Sequence, residues 1–205
     1  MDVPTRNGGW IEVVCGPMFS GKTEELIRRL KRAFIARQRV QVFKPAIDDR
    51  YADRDLASHA GRRLEAYVVR DTADIEASLW PDVEVVGIDE VQFFDEGVVA
   101  LAARLAADGV RVICAGLDQD YRGRAFGPMP ALLVEAEAVT KVLAICVLCG
   151  DAAHRSHRTT VTGADDQVLV GAAESYQPLC RACFARRQVE ASQLAAQGRL
   201  PFGPS

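Results

Sequence analysis

Residues 15–23 read Cys-Gly-Pro-Met-Phe-Ser-Gly-Lys-Thr, and this stretch limits the architecture more tightly than any other. Gly16, Gly21, Lys22 and Thr23 satisfy G-x-x-x-x-G-K-[ST], the phosphate-binding loop pattern. The flanks are the ones such a loop needs. Trp10–Cys15 alternates and is rich in β-branched residues, as a strand should be, and Thr23–Gln38 reads as a helix. Glycine lets the backbone approach a phosphate without a Cβ clash. The amides of the turn and the helix N-terminus then face the anion. In that geometry Lys22 neutralises the outer phosphates, and Thr23 offers its hydroxyl to Mg2+. The chain must therefore place a strand, a tight turn and a helix in immediate succession beside a parallel sheet.

Further strand-like runs recur at Arg39–Phe43, Ala66–Val69, Val83–Ile88, Val110–Ala115 and Val139–Ile145. Helical patterns at Thr72–Trp80 and Glu96–Asp108 fall between them, the second closed by Gly109 as a C-cap. Alternating strands and helices predict an α/β fold: a mostly parallel sheet of the P-loop type with helices on both faces. Near residue 145 the composition shifts to cysteine pairs and short β-like pieces. The expected organisation is a flexible N-terminus at 1–9, a nucleotide-binding domain at 10–145, a small zinc-binding domain at 146–190, and a partly disordered tail at 191–205.

The bulk properties exclude several classes. A net charge of −3 over 205 residues argues against a nucleic-acid binder. The basic run Arg28, Arg29, Lys31, Arg32, Arg37 and Arg39 reads as a solvated helix face. No apolar run has the length of a membrane span, and Met1–Gly9 lacks the apolar core of a signal peptide, so a cytoplasmic protein is expected.

Val85-Val86-Gly87-Ile88 is apolar without alternation, which fits a strand buried on both sides, and it runs straight into Asp89-Glu90. A phosphate-binding loop requires such a strand-end acid for Mg2+, and Asp89 is the candidate. Glu90, beside it, can take a proton from an attacking oxygen. Whether that oxygen belongs to water or to a substrate hydroxyl stays open at this level. Cys146-x-x-Cys149 and Cys180-x-x-Cys183 can supply four thiolates to one tetrahedral Zn2+. Such a site has no open position, so the metal is structural and staples a segment too small for a core of its own. Cys15 and Cys114 read as buried fillers, and His59, His154 and His157 as surface or satisfied histidines.

Together these segments resemble the cytosolic-type thymidine kinases that carry a zinc-binding lasso. The resemblance rests on Gly-Pro-Met-Phe-Ser-Gly-Lys-Thr at 16–23, Asp48-Asp49-Arg50-Tyr51, Asp89-Glu90-Val91-Gln92-Phe93-Phe94, Gly116-Leu117-Asp118 with Tyr121 and Phe126-Gly127, both cysteine pairs, and Tyr176 four residues before Cys180. It implies ATP-dependent phosphorylation of the 5′-hydroxyl of thymidine, with Glu90 as the base. It implies that Gly16, Pro17, Met18, Phe19, Ser20, Gly21, Lys22, Thr23, Asp48, Arg50, Asp89 and Gln92 serve ATP and Mg2+ or the catalytic centre. Met18, Phe93, Leu117, Tyr121, Phe126, Ser156 and Tyr176 would surround the nucleoside, and the backbone of Gln167, Val168, Leu169, Val170 and Gly171 would bond the thymine. A homotetramer and feedback inhibition by thymidine triphosphate follow from the resemblance alone. Two positions depart from the family pattern. Tyr121 stands where Phe is usual, and Ser156 replaces a Thr found near the 5-position of the base in some members, which leaves room there and predicts easier acceptance of 2′-deoxyuridine or of bulkier 5-substituents. The competing reading is a zinc-ribbon P-loop ATPase acting on nucleic acid, with Glu90 activating water.

Overall fold

The structure is a computed structural model that describes residues 8–46, 55–57, 63–159 and 175–196. In chain order the first part comprises β1 (Trp10–Cys15), α1 (Lys22–Ile35), β2 (Val40–Pro45), a short antiparallel pair β3 (Asp55–Ala57) and β4 (Arg63–Glu65), and β5 (Tyr67–Val69). Then come α2 (Thr72–Ser78), β6 (Val85–Ile88), a single 3-10 turn at Val91–Phe93, α3 (Gly97–Ala107), β7 (Arg111–Gly116), α4 (Met129–Glu135) and β8 (Ala138–Lys141). Six strands form one sheet in the order β5-β2-β6-β7-β1-β8, and every pairing in it is parallel.

Strand alternation sorts the core into two layers, because successive side chains point to opposite faces. Ile11, Val13 and Cys15 of β1 join Val86, Ile88, Val112 and Cys114 on one face, under Ile75 of α2, Val98, Leu101 and Leu105 of α3, and Met129 and Leu132 of α4. Val14, Val40, Val42, Val85, Ile113 and Ala115 face the other way, where α1 lays Leu26, Ile27, Leu30 and Ala33 against them. Those α1 positions recur at three- and four-residue steps, the spacing of one helical face. The expected sheet with helices on both faces is what the chain forms.

The opposite end of β1 carries a buried ionic cluster. Glu12 alternates onto the α1 side, where apolar neighbours would be the rule. Its carboxylate instead accepts from Arg29 Nη1 at 2.6 Å, Arg111 Nε at 2.7 Å and Trp10 Nε1 at 2.7 Å. Burial raises the Glu12 carboxyl, but the hydrogen bond and charge of Arg111, with Trp10 and Arg29, outweigh it and hold it below the usual value. Arg29 also reaches Glu25 and Thr140, tying α1 to β1 and β8. Within the basic run, therefore, Arg29 is a packed network residue, while Arg28, Lys31, Arg32, Arg37 and Arg39 are exposed as expected.

Helix ends follow local chemistry. Gly109 closes α3 with the paired bonds Gly109 N–H to Ala106 O and Val110 N–H to Leu105 O, a Schellman motif. Asp71 caps α2 by accepting from Asp74 N–H. The run expected at Val139–Ile145 divides into β8 and a separate β9 (Ala144–Ile145). Pairing with β1 stops after Cys15 opposes Lys141, and the Val142 N–H donates to Cys15 O as the chain leaves the sheet.

Beyond β8, β9 pairs antiparallel with β10 (Ala152–Ala153), and β11 (Arg155–Arg158) with β12 (Tyr176–Leu179). α5 (Arg181–Ala196) follows, continuing past residue 190 into the segment read as a tail. A third buried cluster forms here from Ala144, Cys146, Ala153, Leu179, Cys180, Cys183 and Phe184. Among the described residues, no helix is long and apolar enough to cross a membrane.

Candidate active site

The loop after β1 is set by its glycines and by hydrogen bonds within it. Gly21 has φ +84°, a conformation L side chains rarely adopt, and it directly precedes α1. A Cβ on Gly16 would lie 2.1 Å from Val142 O, so only glycine fits between the loop and the chain leaving β8. Ser20 Oγ and Lys22 Nζ both donate to Pro17 O, at 2.7 and 2.8 Å. Lys22 is buried. Burial lowers its ammonium below the usual lysine value, while the Glu90, Asp89 and Asp118 carboxylates pull the other way. Phe19, with φ +63°, turns an exposed ring outward from the loop.

The acids at the end of β6 meet this loop. Thr23 Oγ1 donates to Asp89 Oδ2 at 3.0 Å. Asp89 is 5% exposed, and burial, followed by the adjacent Glu90 charge, pushes its carboxyl up to about 7. A hydroxyl and a carboxylate side by side are hard oxygen donors of the kind Mg2+ takes, and a carboxylate raised this far gains from a cation beside it. Glu90 is half-buried at φ +49°, a strained value for a residue other than glycine of the kind that clusters at functional sites. Gln92 follows in the 3-10 turn and donates through Nε2 to Glu90 Oε2 at 2.5 Å.

The chain beyond β7 supplies the apolar side. Leu117 and Phe126 are buried, and Phe126 meets Phe93 edge-to-face with ring centroids 5.5 Å apart. Asp120 organises the intervening turn, accepting from the N–H groups of Arg122 and Arg124 at 2.9 Å and from the Arg124 guanidinium. The Tyr121 ring lies under two guanidiniums, Arg158 at 4.6 Å and Arg122 at 5.1 Å. Ser156 of β11 is 4% exposed, and its hydroxyl accepts from the Met18 N–H at 2.9 Å, which joins β11 to the phosphate loop. Tyr176 opposes Arg158 in the β11–β12 register and is buried.

Three features are additions to the sequence reading. Asp118 is buried at the end of β7 and pairs with Lys141 at the end of β8. The signal was available, since an acid following a buried strand is what singled out Asp89. Arg158 over Tyr121 and Arg186 against Cys183 Sγ, at 3.0 Å, depend on contacts distant in sequence or on thiol geometry, and no motif announces them. Asp48, Arg50, Gln167, Val168, Leu169, Val170 and Gly171 lie outside the described residues, as does His59.

The four paired cysteines converge. Sγ atoms of Cys146, Cys149, Cys180 and Cys183 all lie within 4.8 Å of one another, with Cys149 and Cys180 3.7 Å apart. Zn–S bonds of about 2.3 Å in a tetrahedron require sulfurs roughly 3.8 Å apart, so the set fits that ion. Burial raises the Cys146 thiol, but N–H groups of Cys180, Leu148 and Cys149 turned to its sulfur outweigh it and hold it below the usual value. Burial raises Cys183, and thiol hydrogen bonds with the other cysteines raise both it and Cys149. Cys15 and Cys114 are buried fillers, and burial alone pushes Cys114 up to about 12. His157 packs edge-on to Phe184, whereas half-buried His154 buries Nε2 with no hydrogen-bond partner among the described residues, so it is neither the surface nor the satisfied histidine expected.

Comparison with known proteins gives a consistent outcome. The thymidine kinase family profile matches residues 9–184. A thymidine kinase of Bacteroides thetaiotaomicron is 53% identical over 189 residues, covering 92% of this chain and 94% of that protein. One of Bacteroides fragilis is 54% identical over 182 residues, covering 89% and 90%. A solved structure described as an ATPase superposes with a TM-score of 0.42 at 16% identity over 67% of this chain and 66% of its own, a likeness too slight to carry weight. The profile spans the phosphate loop, the strand-end acids and both cysteine pairs, and so the chain belongs to the thymidine kinase family.

Proposed function

We propose that the chain transfers the γ-phosphoryl group of ATP to the 5′-hydroxyl of thymidine, with Glu90 as general base. The observation that carries this reading is the meeting of Lys22, Thr23, Asp89 and Glu90 where β1 and β6 end, with the Thr23 hydroxyl 3.0 Å from Asp89. The 5′-oxygen would attack the γ-phosphorus as the bond to the β–γ bridging oxygen breaks. Glu90 takes the hydroxyl proton, and ADP leaves. Such transfers need positioning and charge neutralisation more than covalent help. Lys22 and the loop amides of residues 16–23 supply the positive field for the phosphates. Asp89 and Thr23 would hold Mg2+, which when bound neutralises phosphate charge.

For the nucleoside, Met18, Phe93, Leu117, Tyr121, Phe126 and Tyr176 form the apolar wall, and the segment 167–171 bonds the base edge. Asp48 and Arg50 serve the phosphate side. The four-cysteine cluster would hold a structural Zn2+ that keeps β11 and β12 against the loop. Ser156, smaller than Thr, leaves room at the 5-position of the base, which favours acceptance of 2′-deoxyuridine or of bulkier 5-substituents. A homotetrameric, cytoplasmic enzyme inhibited by thymidine triphosphate completes the reading, on the strength of the family likeness.

The test is ADP release from Mg-ATP with and without thymidine, with single-stranded DNA added in parallel. Stimulation by thymidine with formation of its 5′-monophosphate is expected. Stimulation by DNA with release of inorganic phosphate, and none by thymidine, would overturn the proposal.

A further inference from the structure

Gln92 is 2% exposed, yet it carries a full polar side chain between two segments that make room for it. A Cβ on Gly116 would stand 2.6 Å from Gln92 Oε1, and one on Gly127 would stand 2.3 Å from the Gln92 carbonyl oxygen. Both glycines therefore keep space for this one residue. The orientation of its amide is fixed by chemistry. The Leu117 N–H, 2.9 Å away, can only donate, so the atom facing it is Oε1. That leaves Nε2 turned to Glu90 Oε2 at 2.5 Å, a donor facing a carboxylate. An amide held at both ends cannot flip, so its donor stays aimed at one carboxylate oxygen.

We infer that Gln92 is the positioning residue for Glu90, fixing the rotamer of the base relative to the end of β7, and that it is not a ligand of the phosphates or of Mg2+. The inference rests on the proposal that Glu90 is the base. It revises the role that family likeness alone assigns to Gln92. Glu90 caps the 3-10 turn at φ +49°, a backbone that sets where its side chain starts but not where the carboxylate at the end of its three-bond stem comes to rest. The Gln92 bond fixes that resting place. Leu117 opens the segment that leads to Tyr121 and Phe126, so the same amide ties the base to the proposed nucleoside wall. Oxygen and base then keep a constant separation, and a misplacement of about 1 Å at such a centre costs roughly a hundredfold in rate.

The test is a double-mutant cycle read by steady-state kinetics on the full chain. Gln92→Met keeps the volume roughly and removes both the donor to Glu90 and the acceptor for Leu117 N–H, without adding a charge beside the base. Gln92→Leu also removes both and serves where the thioether disturbs packing, with thermal melting checking each variant. The expected result is a kcat loss of roughly ten- to a hundredfold in the Gln92 variants, with KM for Mg-ATP within about twofold of the parent. In a Glu90→Gln background, the same Gln92 substitutions should change the residual kcat by less than about twofold. Equal fold-losses in both backgrounds would show Gln92 acting independently of Glu90 and overturn the inference. A large rise in KM for Mg-ATP with kcat unchanged would make it a phosphate ligand and overturn it equally. Failure of the parent reading looks different: Glu90→Gln alone would keep near-normal turnover.

Discussion

The sheet region and the cysteine region of this chain are held by different forces. The sheet buries apolar side chains on both faces, with Phe43, Ile11, Leu26, Ile27, Leu30, Ile88, Leu101, Ile113, Met129 and Leu132 all less than 2% exposed. At about 25 cal/mol per Å2 of buried apolar area, such layers carry a fold without outside help. Among its described residues, the region around β9–β12 has one cluster of seven buried residues, three of which are cysteines. Only Leu179 and Phe184 among them are large hydrocarbons, against a cost of ordering of about 1–2 kcal/mol per residue. Among the described residues apolar burial leaves a gap that a metal ion on the four thiolates would close. The two regions should therefore fail separately, and the experiments below try to separate them.

The largest effect is expected at Cys149. It is the exposed member of the cluster, so its packing contributes little and Cys149→Ser tests metal binding almost alone. Structural zinc sites are worth on the order of 10 kcal/mol or more of folding free energy. Cys149→Ser should lower zinc content from one ion per chain to near zero. It should also expose 144–159 and 175–196 to proteolysis while the sheet melts as a unit at higher temperature. A variant with full zinc content, or one whose sheet collapses together with the cysteine region, would dissolve the contrast.

Next in size comes the ionic cluster at Glu12, which belongs to the sheet but is not apolar. Removing one partner of a buried charged pair costs about 3 kcal/mol. Glu12→Gln should lose roughly that at pH 7, with Arg29 and Arg111 left facing a neutral amide. The pH dependence has a definite sign. The Glu12 carboxyl is held below its ordinary value in the folded chain. Its stabilisation is therefore complete above the ordinary value of 4.5 and disappears as pH falls through the folded value. Glu25, lowered to about 2 chiefly by its hydrogen bond to Arg28, shares the direction. Melting curves from about pH 7 to about pH 3 should show parent and Glu12→Gln converging below about pH 4.5. A constant gap across that range would mean the substitution acts through packing rather than charge.

These contrasts also explain what a sequence can reveal in advance. The phosphate loop, Asp89-Glu90 and the two cysteine pairs are local patterns whose chemistry depends on short spacings, and the elements that carry them form where the patterns predict. The Val139–Ile145 run reads as one strand because its apolar content is continuous. Its division is imposed by Cys15 O capturing Val142 N–H, which no local pattern records. α4 escapes a sequence reading because Pro128 and Pro130 look like breakers, although proline at a helix start is favourable. Burial of Glu12 contradicts strand alternation until Arg29 and Arg111, from two other elements, are placed beside it. Gln92 is legible as a site residue, but its role depends on an amide held by Leu117, 25 residues away.

The smallest effect concerns one of the bonds that join the two regions, the one that reaches the phosphate loop. Met18 N–H and Ser156 Oγ lie 138 residues apart in sequence and 2.9 Å apart in space, the amide on the phosphate loop and the hydroxyl on β11. In Ser156→Ala the half-buried amide loses its acceptor, at a cost of about 1 kcal/mol. That is too little to unfold either region. Arg155, donating to Gln119 and to Gly123 O, and Arg158 over Tyr121 still join them, so what the substitution removes is the tie between β11 and the phosphate loop. In the parent, chelating the zinc should speed hydrogen exchange at the Met18 amide, because loosening β11 withdraws the serine. In Ser156→Ala that amide should exchange faster from the start, and chelation should no longer alter it. Ser156→Thr retains the hydroxyl and should restore the parent behaviour. Should Met18 exchange respond to chelation equally with and without the hydroxyl, the two regions communicate by another path, and the phosphate loop does not depend on β11 for its shape.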